Sequence, residues 1–177
     1  MKGQKMDGSI QVYYGNGRGK TTAALGLGIR AAGVGKQVIM VQFLKKKHSD
    51  TLDFLKKLEP ELQIFRFEKA ACGYSDLSPK EKQEQMLNIK NALGYSRKVL
   101  DTGQCDLLIL DEIFGLVDYN IITIEELMDL IAVKKDSMDL ILTGRNLPDE
   151  VREIADCVYS IQREKEKTPE ILAQGNF

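Results

Sequence analysis

The run Gly15-Asn16-Gly17-Arg18-Gly19-Lys20-Thr21-Thr22 sets three glycines, an ammonium group and two hydroxyls within eight residues. Glycines let successive backbone N–H groups turn inward around an anion, and a helix that starts beside the lysine adds the positive end of its dipole. The lysine brings a full cation to phosphate oxygens, and the hydroxyl after it suits a divalent cation. A second segment, Leu107-Leu108-Ile109-Leu110-Asp111-Glu112, is four apolar residues followed by two acids. A carboxylate at the end of a strand neighbouring such a loop can hold Mg²⁺ directly or through water. Gly15 to Thr22 are thus the candidate phosphate ligands. Thr21, Asp111 and Glu112 are the candidate metal ligands, with Lys20 and Glu112 as the catalytic candidates.

The elements that must position these residues are legible. Ser9–Tyr14 alternates as a strand and feeds the loop, and a helix is expected from Lys20 to about Ala32, stopped by Gly33 and Gly35. Further strands are expected at 37–42, 62–67, 106–111, 139–143 and 157–161, the third of these apolar on both faces like a buried parallel strand. Ser78-Pro79-Lys80-Glu81 combines an N-cap, a first-turn proline and a capping-box glutamate, and opens a helix to about Leu100. Thr123 with Glu126 opens another to about Val133, and Pro148 a third to about Ala155. A short helix over 51–58 and an irregular tail from Arg163 complete the reading. Strands alternating with helices predict an α/β domain, a three-layer P-loop NTPase (RecA-like) fold with a mostly parallel central sheet of about six strands. With 177 residues the chain makes one domain, 1–177.

The spacing departs from the strict Walker A pattern. Three residues rather than four separate Gly15 from Gly19-Lys20-Thr21, and Tyr14 stands where the first glycine belongs. A dinucleotide fingerprint fails, because Lys20 holds the third glycine position and no acid follows the second strand near Gln42.

The Gly-Asn-Gly-Arg-Gly-Lys-Thr-Thr-Ala-Ala run resembles the shortened phosphate loop of the ATP:corrinoid adenosyltransferases. Arg30-Ala31-Ala32-Gly33-Val34-Gly35-Lys36, Val41-Gln42-Phe43-Leu44-Lys45, Asp111-Glu112 with Asp118-Tyr119, Thr143-Gly144-Arg145 and Ala155-Asp156 with Val158 are similar to further segments of that family, in order. The resemblance implies transfer of the 5′-deoxyadenosyl group of ATP to Co(I) of a reduced corrinoid, with Mg²⁺ and release of intact triphosphate. It also implies ATP lying reversed on the loop, Arg30 and Arg145 near the nucleotide, and a homodimer served by a flavodoxin-like or other reductase. Tyr74 stands at the first aromatic of the family's Gly-Phe-x-Trp wedge on the corrin face. Asp76 stands at the tryptophan, and the chain has no Trp. Longer family members have an N-terminal helix over the site, so closure here is expected to be missing or to come from another subunit.

Lys plus Arg total 25 and Asp plus Glu 26, a net charge of -1, which argues against bulk nucleic-acid binding. No apolar run approaches the ~20 residues that span a bilayer, and the N-terminus has no signal-peptide core. Three scattered cysteines, Cys72, Cys105 and Cys157, fit a cytoplasmic protein without a zinc or disulfide framework. The one histidine, His48, and the Lys45-Lys46-Lys47 run read as solvated loop residues. Two alternatives share the loop: a small-molecule kinase or other phosphotransferase, and a nucleotide-dependent regulatory ATPase.

Overall fold

The computed structural model describes residues 7–45, 55–67 and 74–165. His48, Lys46, Lys47, Cys72, Gly73 and the tail beyond 165 lie outside the described residues. Of the helix expected over 51–58, Lys56–Leu58 forms a single 3-10 turn.

Six strands form one sheet: β1 (Ile10–Tyr14), β2 (Val38–Gln42), β3 (Leu62–Arg66), β4 (Leu107–Asp111), β5 (Asp139–Gly144) and β6 (Cys157–Ser160). Their order is β3-β2-β4-β5-β1-β6, and every pairing is parallel. The helices are α1 (Lys20–Ala32), α2 (Pro79–Thr102), α3 (Phe114–Asp118), α4 (Ile124–Ala132) and α5 (Asp149–Ile154). Parallel strands need crossovers, and helices on both faces supply them.

Strand parity explains the layers. Leu108 and Leu110 of β4 join Val41, Leu140 and Leu142 in a core closed by Ile89, Val99 and Leu100 of α2, Leu127 and Ile131 of α4, and Val151 of α5. Leu107 and Ile109 point the other way, into a smaller core with Tyr13, Met40, Ile141 and Ala24 of α1. A strand packed on both faces has no polar side to show, which is why 107–110 reads as an unbroken apolar run. Each fully buried aliphatic side chain here contributes about 1.5–3 kcal/mol by leaving water.

The capping boxes form as expected. The Ser78 hydroxyl accepts from the Glu81 N–H while the Glu81 carboxylate accepts from the Ser78 N–H, and Thr123 and Glu126 repeat the exchange. The helix α3 has no start signal in the sequence; it is five residues long and has no side-chain cap. No described helix is long and apolar enough to cross a membrane.

Candidate active site at the carboxyl edge of the sheet

In a parallel sheet every strand ends at the same edge, and the phosphate loop joins β1 to α1 there. Gly15 holds a φ of 119°, and a Cβ on it would come within 2.4 Å of the Ile161 carbonyl oxygen. Only glycine fits that turn. The loop is pinned from behind. The Gly15 N–H donates to the Arg145 carbonyl at 3.0 Å and the Gly17 N–H to the Ile161 carbonyl at 2.9 Å. The Asn16 side-chain oxygen accepts from the Arg163 N–H at 3.2 Å. The amides of Gly15 and Gly17 are thus already engaged by the scaffold. The first N–H groups of α1, from Lys20 to Thr22, have no intrahelical acceptor and head the helix dipole.

Lys20 curls over the loop, its Nζ donating to the carbonyls of Gly15 at 2.7 Å and Gly17 at 3.0 Å. Burial holds its pKa below the ordinary lysine value, and the Glu112 carboxylate opposes that shift, while the cations Arg145 and Lys45 reinforce it. Lys20, Glu112, Arg145 and Lys45 thus share one electrostatic field.

Asp111 is the anchor of the site. It is 0 % exposed. Its carboxylate accepts from Thr21 Oγ1 (3.0 and 3.1 Å), from Gln42 Nε2 (2.9 Å) and from Thr143 Oγ1 (2.7 Å). Gln42 in turn accepts from Arg66 Nε at 2.6 Å. Register produces this row, for Gln42 pairs with Arg66 on one side and with Asp111 on the other. Parity aims it, since Asp111, Gln42 and Thr143 follow Ile109, Met40 and Ile141 by two residues and so face α1, where Thr21 waits. One expectation needs correcting. The acid strand does not neighbour the loop strand; β5 lies between them, and its Thr143 bridges the gap.

Glu112 leaves β4 with a φ of 63°, a left-handed conformation costing a non-glycine residue roughly 1–2 kcal/mol. Its N–H donates to Thr143 Oγ1 at 2.8 Å, so the same threonine holds both acids. Gly144, next to Thr143, is fixed by contact: a Cβ there would sit 2.4 Å from the Cβ of buried Phe114. Gly144→Ala should therefore push the end of β5 off Asp111. We expect about 1–3 kcal/mol lost in a urea melt together with a fall in turnover. If both stay at the wild-type value, the close contact has no mechanical role.

The cation candidates fit a divalent ion. A buried carboxylate and a hydroxyl face each other at the loop mouth, with the Lys45 ammonium standing 3.0 Å from Thr21 Oγ1 and 3.4 Å from Asp111 Oδ2. Among the described residues no cluster of three or more His, Cys, Asp or Glu forms a self-sufficient metal site. Such an ion would share its ligands with phosphate oxygens, as Mg²⁺ usually does.

The remaining candidates divide. Arg145 is exposed beside the loop, and Arg18 and Thr22 are exposed on it. Arg30 is not brought to this edge. It lies near the other end of α1, roughly 15 Å of helix from Lys20, and lines a cavity with Lys36, Leu107 and Asp139 at the start of the strands. Tyr74 is half-buried, its ring 5.4 Å from that of Tyr119 and beneath the Lys82 ammonium at 5.7 Å. Gln42, Arg66, Lys45 and Thr143 have no individual role assigned from sequence. For Gln42, Arg66 and Thr143 the available signal is parity, a polar residue two places beyond an α1-facing apolar one at a strand end; Lys45, beyond the end of β2, carries no such signal.

The family model for ATP:corrinoid adenosyltransferase BtuR/CobO/CobP matches residues 6–174. The corrinoid adenosyltransferase of Escherichia coli (strain K12) is 30% identical over 155 residues, covering 88% of this chain and 76% of the relative. The corrinoid adenosyltransferase CobA of Salmonella typhimurium is 30% identical over 159 residues, covering 90% and 79%. Among solved structures, a KaiC-like protein of Pyrococcus horikoshii superposes with a TM-score of 0.58 at 19% identity, over 91% of this chain and 75% of that one, a likeness of fold. These matches favour neither the phosphotransferase nor the regulatory ATPase alternative. With the family model spanning nearly the whole domain, the chain belongs to the ATP:corrinoid adenosyltransferases.

Proposed function

We infer that the Gly15–Thr22 loop grips the triphosphate of ATP while the 5′-deoxyadenosyl group passes to Co(I) of a reduced corrinoid. The observation that supports these roles best is the junction of Thr21 with buried Asp111, 90 residues apart in the chain and 3.0 Å apart at the loop mouth. In the transfer the Co(I) lone pair forms the Co–C5′ bond. The C5′–O bond breaks, and its electron pair leaves on triphosphate. The leaving group carries about four negative charges, so stabilising it is the main electrostatic task. Lys20 meets that charge, releasing the Gly15 and Gly17 carbonyls, and the amides at the head of α1 add to it. Phosphates beside Lys20 also favour its protonated form, against the burial that lowers its pKa. Thr21, Asp111 and Glu112 would hold Mg²⁺, which would supply further positive charge against the leaving group. Arg145, beside the loop, completes the nucleotide set, and Arg30 is left out of it. No protein nucleophile is needed, because the corrinoid itself supplies the reactive centre. The chain's task is to hold C5′ in line and keep water away.

Tyr74 and the half-exposed Tyr119 offer an aromatic surface to the corrin ring. Tyr74→Ala should raise the KM for corrinoid about tenfold while changing ATP affinity little, read from steady-state kinetics with each substrate varied. Equal losses for both substrates would remove Tyr74 from the corrinoid site. The enzyme on this basis works in the cytoplasm as a homodimer, with a flavodoxin-like or other reductase supplying Co(I). A reducing compartment suits Cys105, a free thiol whose pKa burial pushes up to about 12. The overall activity is tested by mixing the protein with ATP, Mg²⁺ and chemically reduced corrinoid. Conversion of the Co(I) spectrum to that of an alkylated corrinoid supports it. Persistence of the Co(I) spectrum counts against it.

A further inference from the structure

Lys45 has no part in the roles assigned above, yet it reaches the centre of the site. Its ammonium donates to Thr21 Oγ1 at 3.0 Å and pairs with Asp111 Oδ2 at 3.4 Å. Thr21 spends its proton on Asp111, and Lys45 holds one of the lone pairs that its hydroxyl offers a cation. The backbone is bent to bring this about. Leu44 has a φ of 55°, the left-handed region that bulky residues avoid. Its side chain seats over Gly115, where a Cβ would lie 2.6 Å from Leu44 Cδ1. A strained turn fixed by a fitted contact marks a built feature rather than a wandering surface lysine.

We propose that Lys45 is a tethered stand-in for the divalent cation: its ammonium fills the cation position between Thr21 and Asp111 until metal bound to nucleotide displaces it. This rests on the assignment of Thr21 and Asp111 as metal ligands. While the ammonium is in place, Asp111 is never a buried, unpaired charge, and free divalent ions find their site already filled. Metal is then admitted with the phosphates, whose charge draws both cations, and not ahead of them.

Mn²⁺ alone, followed by its free-ion EPR signal without nucleotide, tests the idea. Wild-type protein should bind weakly. Lys45→Met should bind at least about tenfold more tightly, because a competing unit charge at this separation opposes the ion by more than that even at an effective dielectric of about 20. Lys45→Gln gives the same readout should the methionine variant fold poorly. Adding Thr21→Val to Lys45→Met should abolish the gain. Equal Mn²⁺ affinity in wild type and both Lys45 variants overturns the proposal. In that event Thr21→Val in the wild-type background, titrated with Mn²⁺ and ATP together, separates the two claims. Weakened binding leaves the metal assignment standing without the stand-in, and unchanged binding removes both.

Discussion

Lys20→Ala should abolish measurable turnover, a loss of roughly 10³-fold or more, while the fold survives. A single neutral donor to a developing anion is worth about 10²–10³ in rate, and Lys20 brings a full charge to a polyanionic leaving group. The fold has little to lose. Among the described residues the Lys20 ammonium bonds the carbonyls of Gly15 and Gly17, and water can enter the half-buried position that the shorter side chain leaves. The loop backbone is held independently, by the Gly15 and Gly17 amides on Arg145 and Ile161. Thermal or urea unfolding should therefore shift by no more than about 1 kcal/mol. Single-turnover assays beside a melting curve check both halves. Near-normal turnover in the alanine variant would mean that the loop does not hold the leaving group.

The second large effect is expected at Asp111, where structure and chemistry are harder to separate. Asp111→Asn keeps the shape but removes the charge that faces Lys45 and Thr21. It also sets an amide N–H₂ among Gln42, Thr21 and Thr143, all of which donate to the carboxylate. With its oxygen still accepting from Gln42, the asparagine turns its N–H₂ on Thr143, which must stop donating; turned the other way, the Gln42 amide must flip and lose its bond from Arg66. A mismatched buried polar group of this kind costs about 1–3 kcal/mol, visible in the urea midpoint. Turnover should fall at least about 100-fold, since even partners one shell removed from a metal cost 10–100-fold. Part of the loss should return at high Mg²⁺. A variant that is destabilised yet turns over with the wild-type Mg²⁺ dependence would make Asp111 a structural carboxylate only.

Much of this was legible in the residues, for local reasons. Ser78 with Glu81 and Thr123 with Glu126 announce their helices because each cap is written within four residues. The β4 run announces a strand covered on both faces. The loop and the acid pair stand out by residue type alone, and the fold brings Thr21 and Asp111 of the two segments into contact. What stayed hidden depends on distant register. That β5 lies between β1 and β4, and that Thr143 therefore bridges Thr21's partner and Glu112, follows from pairings between strands far apart in the chain. The inward turn of Lys45 depends on one left-handed residue and a notch at Gly115, about 70 positions away; a run of lysines otherwise reads as a solvated loop. Arg30 is the opposite case. Ten helical residues beyond Lys20 already place it near the other end of α1, so helix geometry alone separates it from the loop.

Release of triphosphate in one piece is the outcome on which the proposed function turns. It is tested most directly by ³¹P NMR of the phosphorus products after reaction of ATP, Mg²⁺ and chemically reduced corrinoid with the purified protein. Inorganic triphosphate should appear in equal amount to adenosylated corrinoid, with no ADP formed alongside. ADP and orthophosphate as the products, with the corrinoid unalkylated, would contradict it.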